Sequence, residues 1–156
     1  MRHLYLLLIV ALLPAACDPV DETTCYDDSD IISVVSTLEC GWGGGNNDSL
    51  SITPSGVSYM ANCTEHAVLD EDITCTEWTE LVESFDLAEF NALNLNSCQL
   101  CVDGCDMSIA VKTTTTYNRI KIPYYLFDDA QEPDEVRALR KKIEKIRQRM
   151  RKKICG

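Results

Sequence analysis

The sequence predicts an α+β domain. It has an antiparallel sheet of about four to six strands, with a short central helix and a long C-terminal helix packed on one face, and it is stapled by disulfides. Three observations carry this reading. Short runs of alternating apolar and polar residues come in pairs around turn signals, the mark of hairpins rather than of parallel βαβ units. A last apolar stripe at spacings of three and four runs from Val136 to Ile154, which is helical periodicity. Eight of the nine cysteines are spread from Cys25 to Cys155, an even number that reads as up to four bridges.

Taken in order, Ile31 to Glu39 alternates with Ile32, Val34 and Leu38 on one side and forms the first expected strand. Gly41 to Asp48 is a glycine-rich loop holding Trp42, a candidate contact residue because exposed aromatics dominate binding hot spots. Leu50–Thr53 and Val57–Met60 flank Pro54-Ser55-Gly56 as a hairpin, and His66 to Ile73 adds a further strand. Thr74 with Glu77 forms a capping box, or Thr76 serves as the cap, ahead of Trp78, Leu81, Val82 and Phe85 at helical spacing. Asp86 with Glu89 starts a second short helix carrying Phe90 and Leu93. Met107, Ile109 and Val111 mark a strand, and Ile120, Ile122 and Tyr124 mark its partner, which Pro123 places at a sheet edge. Pro133 and Asp134 open the last helix, with the stripe Val136, Leu139, Ile143, Ile146, Met150 and Ile154.

Ahead of this domain, Arg2 and His3 precede an apolar run from Leu4 to Leu13, followed by Pro14-Ala15-Ala16-Cys17. A charged start, a short apolar stretch and small residues make an export signal, and the run is too short to cross a bilayer. The organisation read from the chain is a signal peptide over 1–16, an acidic tether over 17–30 and one Cys-rich domain over 31–156. Cys17 behind Ala15-Ala16 resembles the lipobox of bacterial lipoproteins. That resemblance implies lipidation of Cys17, a membrane as partner through that lipid, and a place on the bacterial cell envelope. Cleavage after Cys17 is the alternative, which gives a secreted protein. Further on, the stretch from Trp78 to Asp106, with W-x-x-L, F-x-x-L and C-x-x-C-x-D-G-x-D, resembles a small domain of uncharacterised bacterial lipoproteins and implies no activity.

Charge is divided unevenly. From Cys17 to Pro133 there are 22 acidic and three basic residues, and from Asp134 to Gly156 ten basic and three acidic. A basic helix docked on its own acidic body is the simplest outcome. Anionic lipid is a second destination for such a helix, and nucleic acid is not expected for an exported chain.

The disulfide candidates are Cys25, Cys40, Cys63, Cys75, Cys98, Cys101, Cys105 and Cys155, with about 105 pairings open. Cys98-x-x-Cys101 is also a redox candidate, although its setting after a helix and before a strand lacks the helix N-terminus that activates such thiols. Zinc on Cys98, Cys101, Cys105 and His66 competes poorly with oxidation in an exported chain. The acidic groups Asp27-Asp28-Ser29-Asp30 and Asp70-Glu71-Asp72 do not match the spacing of an EF-hand calcium loop. The histidines are His3 and His66, and no G-x-S-x-G elbow accompanies them. The expected function is therefore a non-catalytic binding or structural module without cofactor or metal, meeting an unidentified protein partner. A secreted inhibitor or effector, and an enzyme or redox protein using Cys98 and Cys101, are the alternatives.

Overall fold

Alternation in the sequence becomes one six-stranded antiparallel sheet in the computed structural model, which describes residues 25, 30–41, 47–63, 67–124 and 132–156. The strands are β1 (Ile31–Cys40), β2 (Asp48–Thr53), β3 (Gly56–Ala61), β4 (Ala67–Glu71), β5 (Cys105–Thr113) and β6 (Tyr117–Pro123). Their spatial order is β4-β3-β2-β1-β5-β6. Two hairpin-linked blocks thus meet at β1, which pairs with β2 on one side and with β5 on the other. Pro123 ends β6 at an edge of the sheet, where its missing N–H costs no ladder bond.

One sequence expectation is corrected in β1. Ile31 pairs with Thr113 while Ser33 pairs with Lys112, so an extra residue bulges between them. The bulge shifts the face alternation at that point. Ile31 takes the core position, and Ile32 is 39 % exposed instead of lying beside Val34 and Leu38.

Between β4 and β5 the chain builds α1 (Cys75–Val82) and α2 (Leu87–Ala92), and after β6 it builds α3 (Asp134–Cys155). Thr74, not Thr76, caps α1, its hydroxyl accepting the Glu77 N–H at 3.2 Å. Asp86 caps α2 by accepting the Glu89 N–H at 2.9 Å. α3 follows Pro133, with Asp134 and Glu135 in its first turn and Lys152 and Lys153 in its last, both favourable to the helix dipole. No described helix is long and apolar enough to cross a membrane.

All three helices pack on one face of the sheet. Trp78, Leu81 and Val82 of α1, Phe90 of α2, and Val136, Leu139, Ile143, Ile146 and Met150 of α3 join Val34, Leu50, Ile52, Tyr59, Ile109 and Ile120 in one buried cluster. Ile154, the end of the expected stripe, is only partly buried against it. Each fully buried side chain of this size contributes about 1.5–3 kcal/mol. The core is therefore a single helix-on-sheet layer, and no described helix covers the opposite sheet face.

Candidate binding surface

Strand register assigns the outer face. One row across all six strands reads Asp70, Ser58, Ser51, Val35, Ala110 and Arg119. The next reads Val68, Met60, Ser49, Thr37, Ser108 and Lys121. Ser49, Thr37 and Ser108 fill the middle of the second row, while the first has Ser58 and Ser51 followed by Val35 and Ala110; an acid or an aliphatic stands at the β4 side, and a base stands at the β6 side. Among the described residues the helices' buried apolar side chains all join the inner core. Met60, Val68 and Tyr117 are 47 %, 59 % and 64 % exposed on the outer side.

Local pairing fixes the basic end. Arg119 donates to the Ser108 hydroxyl at 2.9 Å, and that hydroxyl shares a short hydrogen bond with Thr37. Lys121 donates to Glu39 at 3.3 Å and lies 3.9 Å from the fully buried carboxylate of Asp106. At the other end a depression of about 430 Å³ is lined by Ser51, Thr53, Ser55, Gly56, Val57, Ser58, Asp70, Glu71 and Asp72. Hydroxyls and carboxylates in an open depression suit a ligand rich in hydrogen-bond donors. Among the described residues no histidine stands beside these hydroxyls to activate one of them as a nucleophile.

The eight candidate cysteines form four pairs at disulfide distance: Cys25–Cys75, Cys40–Cys105, Cys63–Cys155 and Cys98–Cys101. Cys40 and Cys105 are directly opposed at the end of the β1–β5 ladder. Cys63 fastens the segment after β3 to the last turn of α3, and Cys25 fastens the segment ahead of β1 to the start of α1. The zinc set proposed for Cys98, Cys101 and Cys105 is thereby consumed by disulfides. Cys98 and Cys101 are exposed around a 3-10 turn over Gln99–Val102 that has no side-chain cap. Asp103 follows with a φ of 66°, and a Cβ on Gly104 would lie 2.7 Å from the Gln99 Cβ. Aspartate tolerates the left-handed turn and glycine alone fits the close approach. Cys17, Trp42 and His66 lie outside the described residues, as do most of the tether and the signal segment.

A polar group that the sequence did not disclose sits between α3 and the sheet. Arg147 is 2 % exposed. It lies 3.0 Å from Asp48 of β2, donates to Ser36 of β1 at 2.7 Å, and makes a short ion pair with Glu144 one turn earlier. Tyr59 of β3 donates to the other Asp48 oxygen at 3.0 Å. Burial pushes the Asp48 carboxyl above the usual carboxylate range, and Arg147 and Tyr59 oppose that shift. Burial and the neighbouring carboxylate push the Tyr59 phenol up as well. With every charged member partnered and packed under a helix, the group holds α3 in register and offers no open site for a substrate. On the exposed flank, the Lys142 ammonium beside Glu80 holds that carboxyl below its ordinary value.

Compared with the models of known protein families and with curated proteins, the sequence matches none.

Proposed function

We propose that the chain is an exported, non-catalytic binding module, held on a bacterial cell envelope by a lipid on Cys17 and meeting its partner through the outer sheet face. The observation that carries the binding role is the division of the domain into a sheet face covered by the described helices and an opposite face that carries Ser58, Ser51, Ser49 and Thr37, with Asp70 at its β4 end and Arg119 and Lys121 at its β6 end. Pairing of all eight cysteines after Cys17 supports an oxidising compartment, and the Arg2-to-Cys17 segment supports export. A flat hydroxyl surface with a carboxylate-lined depression fits a polar partner rather than an apolar ligand.

The anchor is tested on the mature protein. Intact mass analysis should find a diacylglyceryl group on Cys17 as the first residue, and Cys17→Ser should move the protein from the detergent phase to the aqueous phase. A mature chain that begins after Cys17 favours the secreted inhibitor or effector. The exposed Cys98–Cys101 bridge supports a second reading as a redox protein. In that case thiol labelling of freshly isolated protein would find both cysteines reduced in a substantial fraction of molecules; the binding module predicts no label.

A further inference from the structure

The charges of α3 fall into separate tracks. On one flank Lys142, Arg149 and Lys153 pair with Glu80 and Glu77 of α1 and with Glu71 of β4. On the other, Arg140 pairs with Glu132 at 2.7 Å and Arg147 is buried on Asp48. Between them, opposite the apolar stripe, run Lys141, Lys145, Gln148 and Lys152, spaced by four, three and four residues and all exposed. Among the described residues none of these three lysines closes an ion pair. A shallow depression of about 420 Å³ lies beside them, lined by Tyr124, Arg140, Lys141, Glu144, Lys145 and Gln148.

Two independent facts give this ridge a direction. The chain from Cys17 to Pro133 has 22 acidic residues against three basic, so its field repels an anionic surface while the ridge is attracted to one. The Cys25–Cys75 bridge also fastens the N-terminal segment to the first residue of α1, which packs against α3. Eight residues lead from Cys17 to Cys25, a reach of about 26–29 Å at full extension. A lipid on Cys17 is therefore leashed to the helix layer.

We infer that the lysine ridge of α3 docks on the anionic phospholipid headgroups of the membrane that carries the anchor, which lays the helix layer down and turns the hydroxyl-rich sheet face away from the bilayer. The inference rests on the lipid-anchor reading for its setting, yet the ridge acts on membranes without the lipid. Each lysine near an anionic surface is worth about fivefold in affinity, so three amount to a factor on the order of 100.

The test floats the full chain carrying Cys17→Ser with vesicles of phosphatidylcholine alone and of phosphatidylcholine mixed with phosphatidylglycerol, at low and high salt. Binding to the mixed vesicles at low salt is expected, and it should fall on the order of 100-fold in the triple variant Lys141→Gln, Lys145→Gln, Lys152→Gln. These side chains are exposed, so the melting temperature of the triple variant should stay within a degree or two of the parent. Lys112→Gln with Arg119→Gln on the sheet face should leave vesicle binding unchanged. Equal binding by the triple variant, or no preference for phosphatidylglycerol, overturns the inference; so does retention on duplex DNA without vesicle binding. Chain with Cys17 intact is floated on the neutral vesicles in parallel. If it floats while Cys17→Ser shows no lipid preference, the ridge fails and the anchor stands; the reverse pattern removes the anchor and keeps the ridge.

Discussion

Arg147 shows what a single residue contributes that its sequence neighbourhood conceals. It follows Ile146 in a helix otherwise read as one apolar stripe with charges facing out, and a charge count assigns it to solvent. Three partners on separate strands make its burial tolerable: Asp48 on β2, Ser36 on β1 and, through Asp48, Tyr59 on β3. None of these is near Arg147 in sequence, so no local pattern announces the site. Removing one partner of a buried pair leaves the other uncompensated, at a cost of about 3–5 kcal/mol. Arg147→Met should therefore lower the unfolding free energy by about that amount in urea at neutral pH. The pH dependence has a definite sign. The Asp48 carboxyl binds its proton more tightly in the fold than in the unfolded chain, so its burial weakens the fold as pH rises through that elevated value. Arg147 opposes the elevation, and its loss raises Asp48 further. The deficit of Arg147→Met should then shrink as pH falls from neutral toward the ordinary carboxylate range. A deficit that stays constant or grows on acidification contradicts the assignment.

At the scale of elements, legibility followed locality. Caps at Thr74 and Asp86 and the turn at Pro54-Ser55-Gly56 rest on contacts within a few residues, and those elements formed where the sequence placed them. Pairing of β1 with β5 joins residues more than sixty apart, such as Cys40 and Cys105, and no periodicity encodes it. The bulge that exposes Ile32 was hidden for the same reason, since it depends on the partner strand. Most of the outer face was likewise illegible: single strands reveal alternation, while the rows from Asp70 to Arg119 exist only once strand order is known. The stripe of α3 was legible because its periodicity is internal. It is a core element, so Leu139→Ala, at a position with no exposure, should cost about 2–5 kcal/mol. Ile154→Ala, at a partly buried position, should cost clearly less in the same urea titration. An unchanged midpoint for Leu139→Ala would mean that the helix hangs free of the sheet.

For the whole molecule the bridges set the conditions under which the fold exists. Their sequence separations are 50, 65, 92 and 3 residues. Chain-entropy estimates put a long loop at roughly 4–5 kcal/mol and the shortest at about 2 kcal/mol. Breaking the Cys63–Cys155 bridge with a pair of serines should therefore cost roughly 3 kcal/mol more than breaking Cys98–Cys101 in the same way. The bridges with both cysteines exposed, Cys98–Cys101 and Cys63–Cys155, should open under a dithiol before the other two, and opening Cys98–Cys101 should change the melting temperature little. The four bridges together are comparable with the whole stability of an ordinary domain, about 5–15 kcal/mol. The ion pairs along the flank of α3 cannot replace them, because exposed pairs contribute only about 0–1 kcal/mol each. Complete reduction should abolish the cooperative thermal transition and the near-ultraviolet dichroism of Trp78, which has no exposure in the fold. A domain that needs these bridges to fold would reach its working state only after oxidation, which agrees with the export proposed above. A fully reduced chain that kept its near-ultraviolet signal and a sharp transition would show that the helix-on-sheet core suffices alone, and would remove that link between fold and compartment.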